Sequence, residues 1–453
     1  MPPIIALILC IIFVLWLLTL DHKTSPDNSF VLWIPVIWIL LIASKPLAIW
    51  LSYSVSESET GSPLDRNFII TVIILGVLIL FKRRFTFFKA AKENIWLILL
   101  AGYMLISILW SNLGFTTSFS RWVRETPALI MAFILLTESN PREAMLSVLR
   151  RTTYILIPFS LLLIKYYPQY GVVYGHWSGE LMWVGVTTQK NTIGRLCLIA
   201  IFFLIWSLIR RWKEHNIRTV KYQPTAEIIL VLISFLILKG PSIGAMSATA
   251  ATSLVIGLIA FVGLLWMDKL KICLSANMLT AIMAAGIILG LVTLFTAGAT
   301  VGAFTDTVGR ESTLTGRTDV WKSLLPVAMQ NPLLGHGFGG FWTSATRDFF
   351  MISEGHNGYL DTLLDLGFSG LILISLFLLS SSRKAQRIMK DDFYWGVLWI
   401  CFLIMAIIHN ISESSINAFS THLTAILIFL AVSSAPINSG NEKSKKEIGI
   451  VTM

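Results

Sequence analysis

The chain has 453 residues, 55% hydrophobic and only 13% charged, against about 25% charged in a typical soluble domain. So few polar side chains cannot clothe a soluble protein of this length, which excludes an ordinary cytoplasmic enzyme, a disordered chain and a secreted disulfide scaffold. What remains is an all-α, polytopic integral membrane protein whose apolar surface is covered by lipid. The net charge of +10 fits basic cytoplasmic loops better than nucleic acid. Cys10, Cys197, Cys273 and Cys401 show no metal-binding or disulfide spacing.

Apolar runs predict spans at 3–20, 30–51, 67–81, 94–111, 121–138, 148–165, 191–209, 226–239, 242–267, 277–298, 358–380, 393–409 and 416–434, about twelve or thirteen in all. Those at 67–81 and 226–239 are short. The one at 242–267 carries Ser247, Ala248, Thr249, Ala250 and Ala251, small residues suited to close helix packing. The first run lacks a basic leader and a small-residue cleavage site, so it reads as an anchor rather than a removed signal.

Every second loop is basic: Lys82 to Lys92, Arg142 with Arg150 and Arg151, Arg210 to Lys221, Lys269 with Lys271, Arg383 to Lys390, and the tail with Lys443, Lys445 and Lys446. The positive-inside rule makes these loops and the C-terminus cytoplasmic, and parity then puts the N-terminus outside. Two long connections, 166–190 and 299–357, fall together on the external side. The second is far longer than ordinary helix connections, and long ordered loops tend to carry function.

Several cations break the rule on that external side. Lys45, Arg121, Arg124, Lys190, Arg195 and Lys239 lie at or near span ends, and Arg310, Arg317, Lys322 and Arg347 lie in the long loop. Singly, each reads as a side chain snorkelling to lipid headgroups. As a set they describe a cavity for an anionic group, with arginine forks suited to phosphate and a helix N-terminus at Asn191 adding positive potential.

Three segments of the external loops stand out. Gly316-Arg317-Thr318-Asp319-Val320-Trp321 predicts a short helix capped by Thr318 or Asp319, with Trp321, Leu324 and Leu325 lying on the membrane surface and Pro326 and Asn331-Pro332 limiting it. Gly335-His336-Gly337-Phe338-Gly339-Gly340 contains a GxGxxG pattern, but no strand precedes it, so the glycines point to a tight turn against the membrane domain. Asn357 can cap the span from 358, which puts His356 at its outer mouth. A neutral imidazole there could take a proton from a hydroxyl near pH 7, and a structural histidine bonding a loop carbonyl fits the spacing equally well. Glu354 or Glu413 could orient it, and His409 with Glu413 forms a second candidate pair.

Together these residues resemble the O-antigen ligase and polysaccharide polymerase family, the Wzy/WaaL-type membrane glycosyltransferases. The resemblance rests on Gln189-Lys190-Asn191 with Gly194-Arg195; on Gly316-Arg317, Trp321, Pro332 and Gly335-His336-Gly337; and on His356-Asn357, Tyr359, Leu360 and Gly367. It is specific mainly over about residues 185–370. The runs and loop charges divide the chain into N-terminal transmembrane helices over 1–165, a first external loop at 166–190, central transmembrane helices over 191–298, a large, partly helical external loop at 299–357, C-terminal transmembrane helices over 358–434 and a cytoplasmic basic tail at 435–453; the resemblance implies about twelve helices and makes the external side periplasmic.

The resemblance also implies a donor glycan on undecaprenyl pyrophosphate. The glycan would pass to a glycan, lipid A core or protein hydroxyl at the periplasmic face of the bacterial inner membrane, with no cofactor and no metal. His356 matches the family's loop histidine, the base, and Arg317 its loop arginine. Arg195 or Lys190 matches the cation that holds pyrophosphate, and Arg121 and Arg124 are further substrate-binding candidates. Expected partners are membrane lipids and envelope polysaccharide assembly proteins, with no nucleic acid. A lipid-linked glycan transporter or flippase is the competing class, but transporters place charges near the bilayer midplane and show internal repeats. Here the charges gather at one face and no repeat is visible.

Overall fold

The computed structural model describes residues 1–51, 61–175, 179–214, 220–242, 244–272, 274–296 and 315–433. In chain order the helices are α1 Pro3–Thr24, α2 Trp33–Ile42, α3 Pro63–Lys82, α4 Phe87–Glu93, α5 Ile95–Ser107, α6 Phe115–Val123, α7 Thr126–Leu136 and α8 Pro141–Tyr166. A small antiparallel hairpin follows, β1 Val172–Tyr174 on β2 Leu181–Trp183. Then come α9 Lys190–Lys213, α10 Gln223–Lys239, α11 Ala248–Lys269, α12 Ala276–Phe295, α13 Thr315–Ala328, α14 Ser344–Phe350, α15 Gly358–Asp391, α16 Phe393–Ser412 and α17 His422–Ser433.

The architecture is all-α and polytopic. Among the described residues eight helices are long and apolar enough to cross a membrane, and a ninth span forms if the bent pair Phe87–Glu93 and Ile95–Trp110 counts as one. Among the described residues each run expected from hydropathy contains helix, but not throughout: the run at 30–51 breaks after Ile42, and helix starts only at Ala248 in 242–267 and at His422 in 416–434. The expected run at 121–138 is divided, because α6 ends at Val123 and α7 starts at Thr126 with Pro127 in its first turn.

Helix starts follow local chemistry. Ser62, Asn140, Ser275 and Asp392 each precede a helix and accept a backbone N–H from its first turn, satisfying donors that the helix cannot. Proline at the first helical position, as at Pro63 and Pro141, adds a preset φ. The sides of α8, α9, α16 and α17 are mostly buried, whereas α1 and α3 turn large aliphatic side chains outward, as lipid-facing helices do.

Contacts between helix ends define two faces. At the basic face Arg83 pairs with Glu138 at 2.6 Å, and Arg142 and Arg210 approach Asp392. Arg150 and Arg151 were expected in a basic loop. They lie inside α8 instead and are buried, because the Asp21 carboxylate at the end of α1 accepts from both at 2.7 Å. Removing one partner of such a buried pair would cost roughly 3–5 kcal/mol, since the other charge is left without compensation. At the opposite face Lys45 N–H donates to Val186, Leu47 N–H to Asp65, and Ser420 N–H to Glu125. This second face carries the described parts of both long connections.

Candidate functional site

The site is assembled at the start of α15. Asn357 caps that helix, its Oδ1 accepting from Tyr359 and Leu360 N–H at 3.0 Å each, while its Nδ2 donates to Ile411 O at 2.9 Å. One side chain thus fixes the helix start and docks it on the end of α16. The crossing needs Gly358, since a Cβ there would stand 1.8 Å from Asn410 Oδ1. His356, just before the cap, has a φ of 48°, the left-handed region that costs a residue with a β-carbon about 1 kcal/mol.

The preceding loop is pinned from two sides. Trp321 Nε1 donates to Gly355 O at 2.9 Å, and Gly355 N–H and Trp342 Nε1 both donate to Asp361 Oδ1 at 3.0 Å. Ser414 donates to the other oxygen of Asp361. Trp321 is buried, as is Leu324, so the apolar face of α13 packs on protein. That corrects the expected membrane-surface helix. The helix also runs from Thr315 to Ala328 with Thr318, Asp319 and Pro326 inside it, rather than being capped or ended by them.

Arg317 lies one turn before Trp321 and therefore on the same side of α13. Its Nη2 donates to Glu413 Oε1 at 2.6 Å and its Nη1 to Ser412 O. Asn191, in the first turn of α9, donates to the same carboxylate oxygen at 2.5 Å. His356 Nδ1 stands 3.2 Å from Glu354 Oε1 and 3.8 Å from Glu413 Oε2. Glu413 is only 2% exposed and His356 30%. Three separate segments therefore meet on one buried carboxylate carried by a fourth.

The charges explain each other. Burial would push the Glu413 carboxyl up, but the His356 ring and the Arg317 guanidinium hold its pKa down at about 2. Burial would likewise favour a neutral His356, but Glu354 and Glu413 outweigh it and raise the ring from 6.5 to about 9. The resting histidine is therefore an imidazolium at neutral pH, unlike the neutral ring expected from the sequence.

Arg195 lies one turn beyond Asn191 on α9, within electrostatic reach of Glu413 and Glu354. Its Nε is buried with no hydrogen-bond partner among the described residues. Lys190 Nζ instead donates to Gly244 O at 3.0 Å, although its charge also acts on Arg317 and Glu413. His409 is buried one turn before Glu413, with its Nδ1 2.7 Å from Ser415 Oγ. The two candidate groups read from the sequence, around His356 and around His409 with Glu413, are one site.

Arg121 and Arg124 are occupied elsewhere. Arg121 donates to Gly339 O at 2.5 Å and to Trp342 O at 3.3 Å, fastening the glycine-rich loop. Arg124 faces the acids Glu125 and Asp65. Lys45 donates to Tyr170 O, Lys322 pairs with Asp319 on an exposed surface, and Arg310 lies outside the described residues. The glycine-rich loop does turn tightly against the helices. A Cβ on Gly335, at φ 66°, would meet the Asp365 backbone at 2.5 Å where the loop crosses a break in α15 at Gly367.

Ligand atoms of Glu354, His356 and Glu413 lie within 4.8 Å of one another, enough to reach a common cation. The guanidinium on Glu413 and the Arg195 charge nearby oppose a divalent ion there. With His356 protonated, three cations (Arg195, Arg317, His356) face two carboxylates (Glu354, Glu413). Lys190, whose charge acts on Arg317 and Glu413, adds to this excess of positive charge, which suits an anionic ligand.

The chain is thus an all-α multi-pass membrane protein with a charged site at one end of its bundle. Residues 228–375 match the family model Wzy_C, described as O-antigen ligase, and the matched segment contains Arg317 and His356. A curated relative, the exopolysaccharide production protein ExoQ of Rhizobium meliloti (strain 1021), is 23% identical over 312 residues, 66% of this chain and 67% of the relative. No solved structure matches the chain significantly. The chain is thus similar, over part of its length, to O-antigen ligases and to an exopolysaccharide production protein.

Proposed function

We propose that the chain polymerises glycan units carried on undecaprenyl pyrophosphate, at the periplasmic face of the bacterial inner membrane. The observation that carries this reading is the convergence of Arg317, Arg195 and His356 on the buried Glu413, with an unsatisfied guanidinium N–H left to receive an anion. Arg195 and Arg317 hold the donor's pyrophosphate and neutralise charge as it leaves. Of the two membrane-domain candidates Arg195 is the better holder, because Lys190 is engaged by Gly244. An apolar cavity of about 440 Å³, lined by Leu40, Trp50, Phe159, Tyr167, Tyr170 and Val186, lies at the same end of the bundle and suits an isoprenoid chain.

In the reaction an acceptor hydroxyl oxygen forms a bond to the donor's anomeric carbon. The bond from that carbon to the pyrophosphate oxygen breaks, and undecaprenyl pyrophosphate departs with the electron pair. The hydroxyl proton passes to His356 in its neutral form, reached when the resting imidazolium has given up its Nε2 proton to solvent. Nδ1 faces Glu354, so Nε2 is the nitrogen available. Attack opposite the leaving group inverts the anomeric configuration. General-base help of this kind is worth about 10²–10⁴ in rate. The acceptor we favour is the growing polysaccharide, in keeping with the exopolysaccharide role printed for the relative.

The test supplies purified chain in lipid with a synthetic undecaprenyl-pyrophosphate oligosaccharide and reads the products by mass spectrometry. Longer glycans and free undecaprenyl pyrophosphate are expected. The His356→Ala variant should form none while still retaining donor. Normal product from that variant would remove His356 from the reaction, and donor moved across the bilayer without elongation would make the chain a transporter.

A further inference from the structure

The basic face, opposite the candidate site, holds a second constellation of cations. Here α4 and the helix that follows it are bent by 101° at Asn94, so α4 lies across the end of the bundle. Phe88 on α4 is 85% exposed, as on a helix resting in the membrane interface. A cavity of about 340 Å³ fills the elbow, between α5 and the far end of α15. Glu93, Asn94, Trp96, Arg383, Lys384 and Arg387 are among its lining residues.

Three features give this cavity a preference for negative charge. Arg383 and Arg387 are one turn apart on α15, both exposed, and among the described residues neither has a carboxylate within ion-pair distance. Lys384 Nζ donates to Glu93 O and, at 2.9 Å, to Asn94 Oδ1, so its charge is held at the wall by neutral acceptors. Asn94 would ordinarily cap α5, but it forms no capping bond; its Oδ1 takes the lysine and its Nδ2 donates to Ala90 O at 3.0 Å. The first turn of α5 therefore lines the cavity without a side-chain cap, and its partial positive charge adds to that of the three cations. Glu93 is the one acid among the lining residues.

We propose that this cavity binds the phosphate headgroup of an anionic phospholipid from the leaflet at the basic face. The headgroup sits among Arg383, Lys384, Arg387 and the start of α5, and the acyl chains run along the exposed rings and aliphatic side chains of α4 and α5. Basic pockets between membrane helices on the positive side recognise anionic headgroups in this way. The depth of the cavity beside an interfacial helix, and apolar lining from Trp96 and Phe377, favour a lipid over a soluble anion. The site is separate from the one assigned to glycan transfer, and its test reads lipid retention rather than turnover.

The full chain is purified in detergent and offered phosphatidylglycerol, phosphatidylcholine or inorganic phosphate. Retained lipid is counted by native mass spectrometry. Phosphatidylglycerol should be retained in preference to phosphatidylcholine, and less so as salt is raised. The Arg383→Gln/Arg387→Gln variant changes exposed side chains only and should lose about thirty-fold in affinity, from two cations at the membrane surface. A comparator at the same face, Lys269→Gln/Lys271→Gln, should retain lipid as the unaltered chain does. Equal retention of phosphatidylcholine, an unchanged Arg383/Arg387 variant, or equal loss in the comparator would each overturn the proposal. Displacement of phosphatidylglycerol by millimolar inorganic phosphate would make this a free-anion site and overturn it too.

Discussion

Glu413→Gln tests the charge logic of the site most directly. The substitution keeps the shape and removes one negative charge from the point where Arg317, Asn191 and His356 meet. The rise of the His356 pKa from 6.5 to about 9 represents about 3 kcal/mol of preference for the imidazolium. Glu354 is the nearer carboxylate, at 3.2 Å against 3.8 Å, so Glu413 supplies about half of that or less, about 1–2 kcal/mol. A base acts only when neutral, so kcat/KM for glycan transfer should climb about tenfold per pH unit toward about 9 and then level. In the variant the climb should end about one pH unit lower, and the plateau should be lower as well. Ring titration of labelled histidine, alongside the pH profile of transfer, measures both quantities. Activity that falls as pH rises through 9 in the unaltered chain would refute the base assignment. A limb at the same pH in the variant would refute the role given to Glu413.

Arg195→Ala should raise the donor KM by tenfold or more, while Lys190→Ala, whose ammonium rests on Gly244 O, should change it by about threefold or less; steady-state kinetics with the lipid-linked oligosaccharide decide between them. Gly358→Ala forces a methyl toward Asn410 Oδ1 and should lower stability by about 1–3 kcal/mol and impair transfer, read from thermal unfolding and product yield. The His356 interactions add their own pH dependence to unfolding. A folded pKa raised to about 9 gives stability fully present below about 6.5, the unfolded value, and lost as pH rises through 9, so His356→Gln should flatten the curve in that window.

The membrane architecture was legible because one strong physical signal, apolar length, controls it. Capping chemistry was legible for the same reason: Asn357 acts on amides two and three residues away. The site was legible only in part. His356 and Arg317 could be singled out by their positions in the long loop. The role of Glu413 could not be ranked, because its partners Asn191, Arg317 and His356 lie on other segments. A carboxylate closing a span otherwise free of acids was the available signal. Asp361 follows the helix cap and drew no attention, since an acid in a first turn is an ordinary helix start, yet it ties Gly355, Trp342 and Ser414 together. Charge at a membrane edge does not distinguish a ligand contact from a protein one: Arg121 bonds loop carbonyls and Arg124 faces acids, neither of which the sequence alone could indicate. Membrane-surface packing for Trp321 failed similarly, because amphipathicity names an apolar side without naming what covers it.

The break in α15 at Gly367 has a mechanical meaning. The short outer piece that carries Asn357 is clasped there by the chain around Pro332 and Leu333, with Phe368 N–H on Pro332 O at 2.7 Å. The outer piece, which carries the cap before the site, therefore takes its position from this loop as well as from the longer inner piece, and the close approach of Leu333 to Gly367 leaves no room there for a side chain.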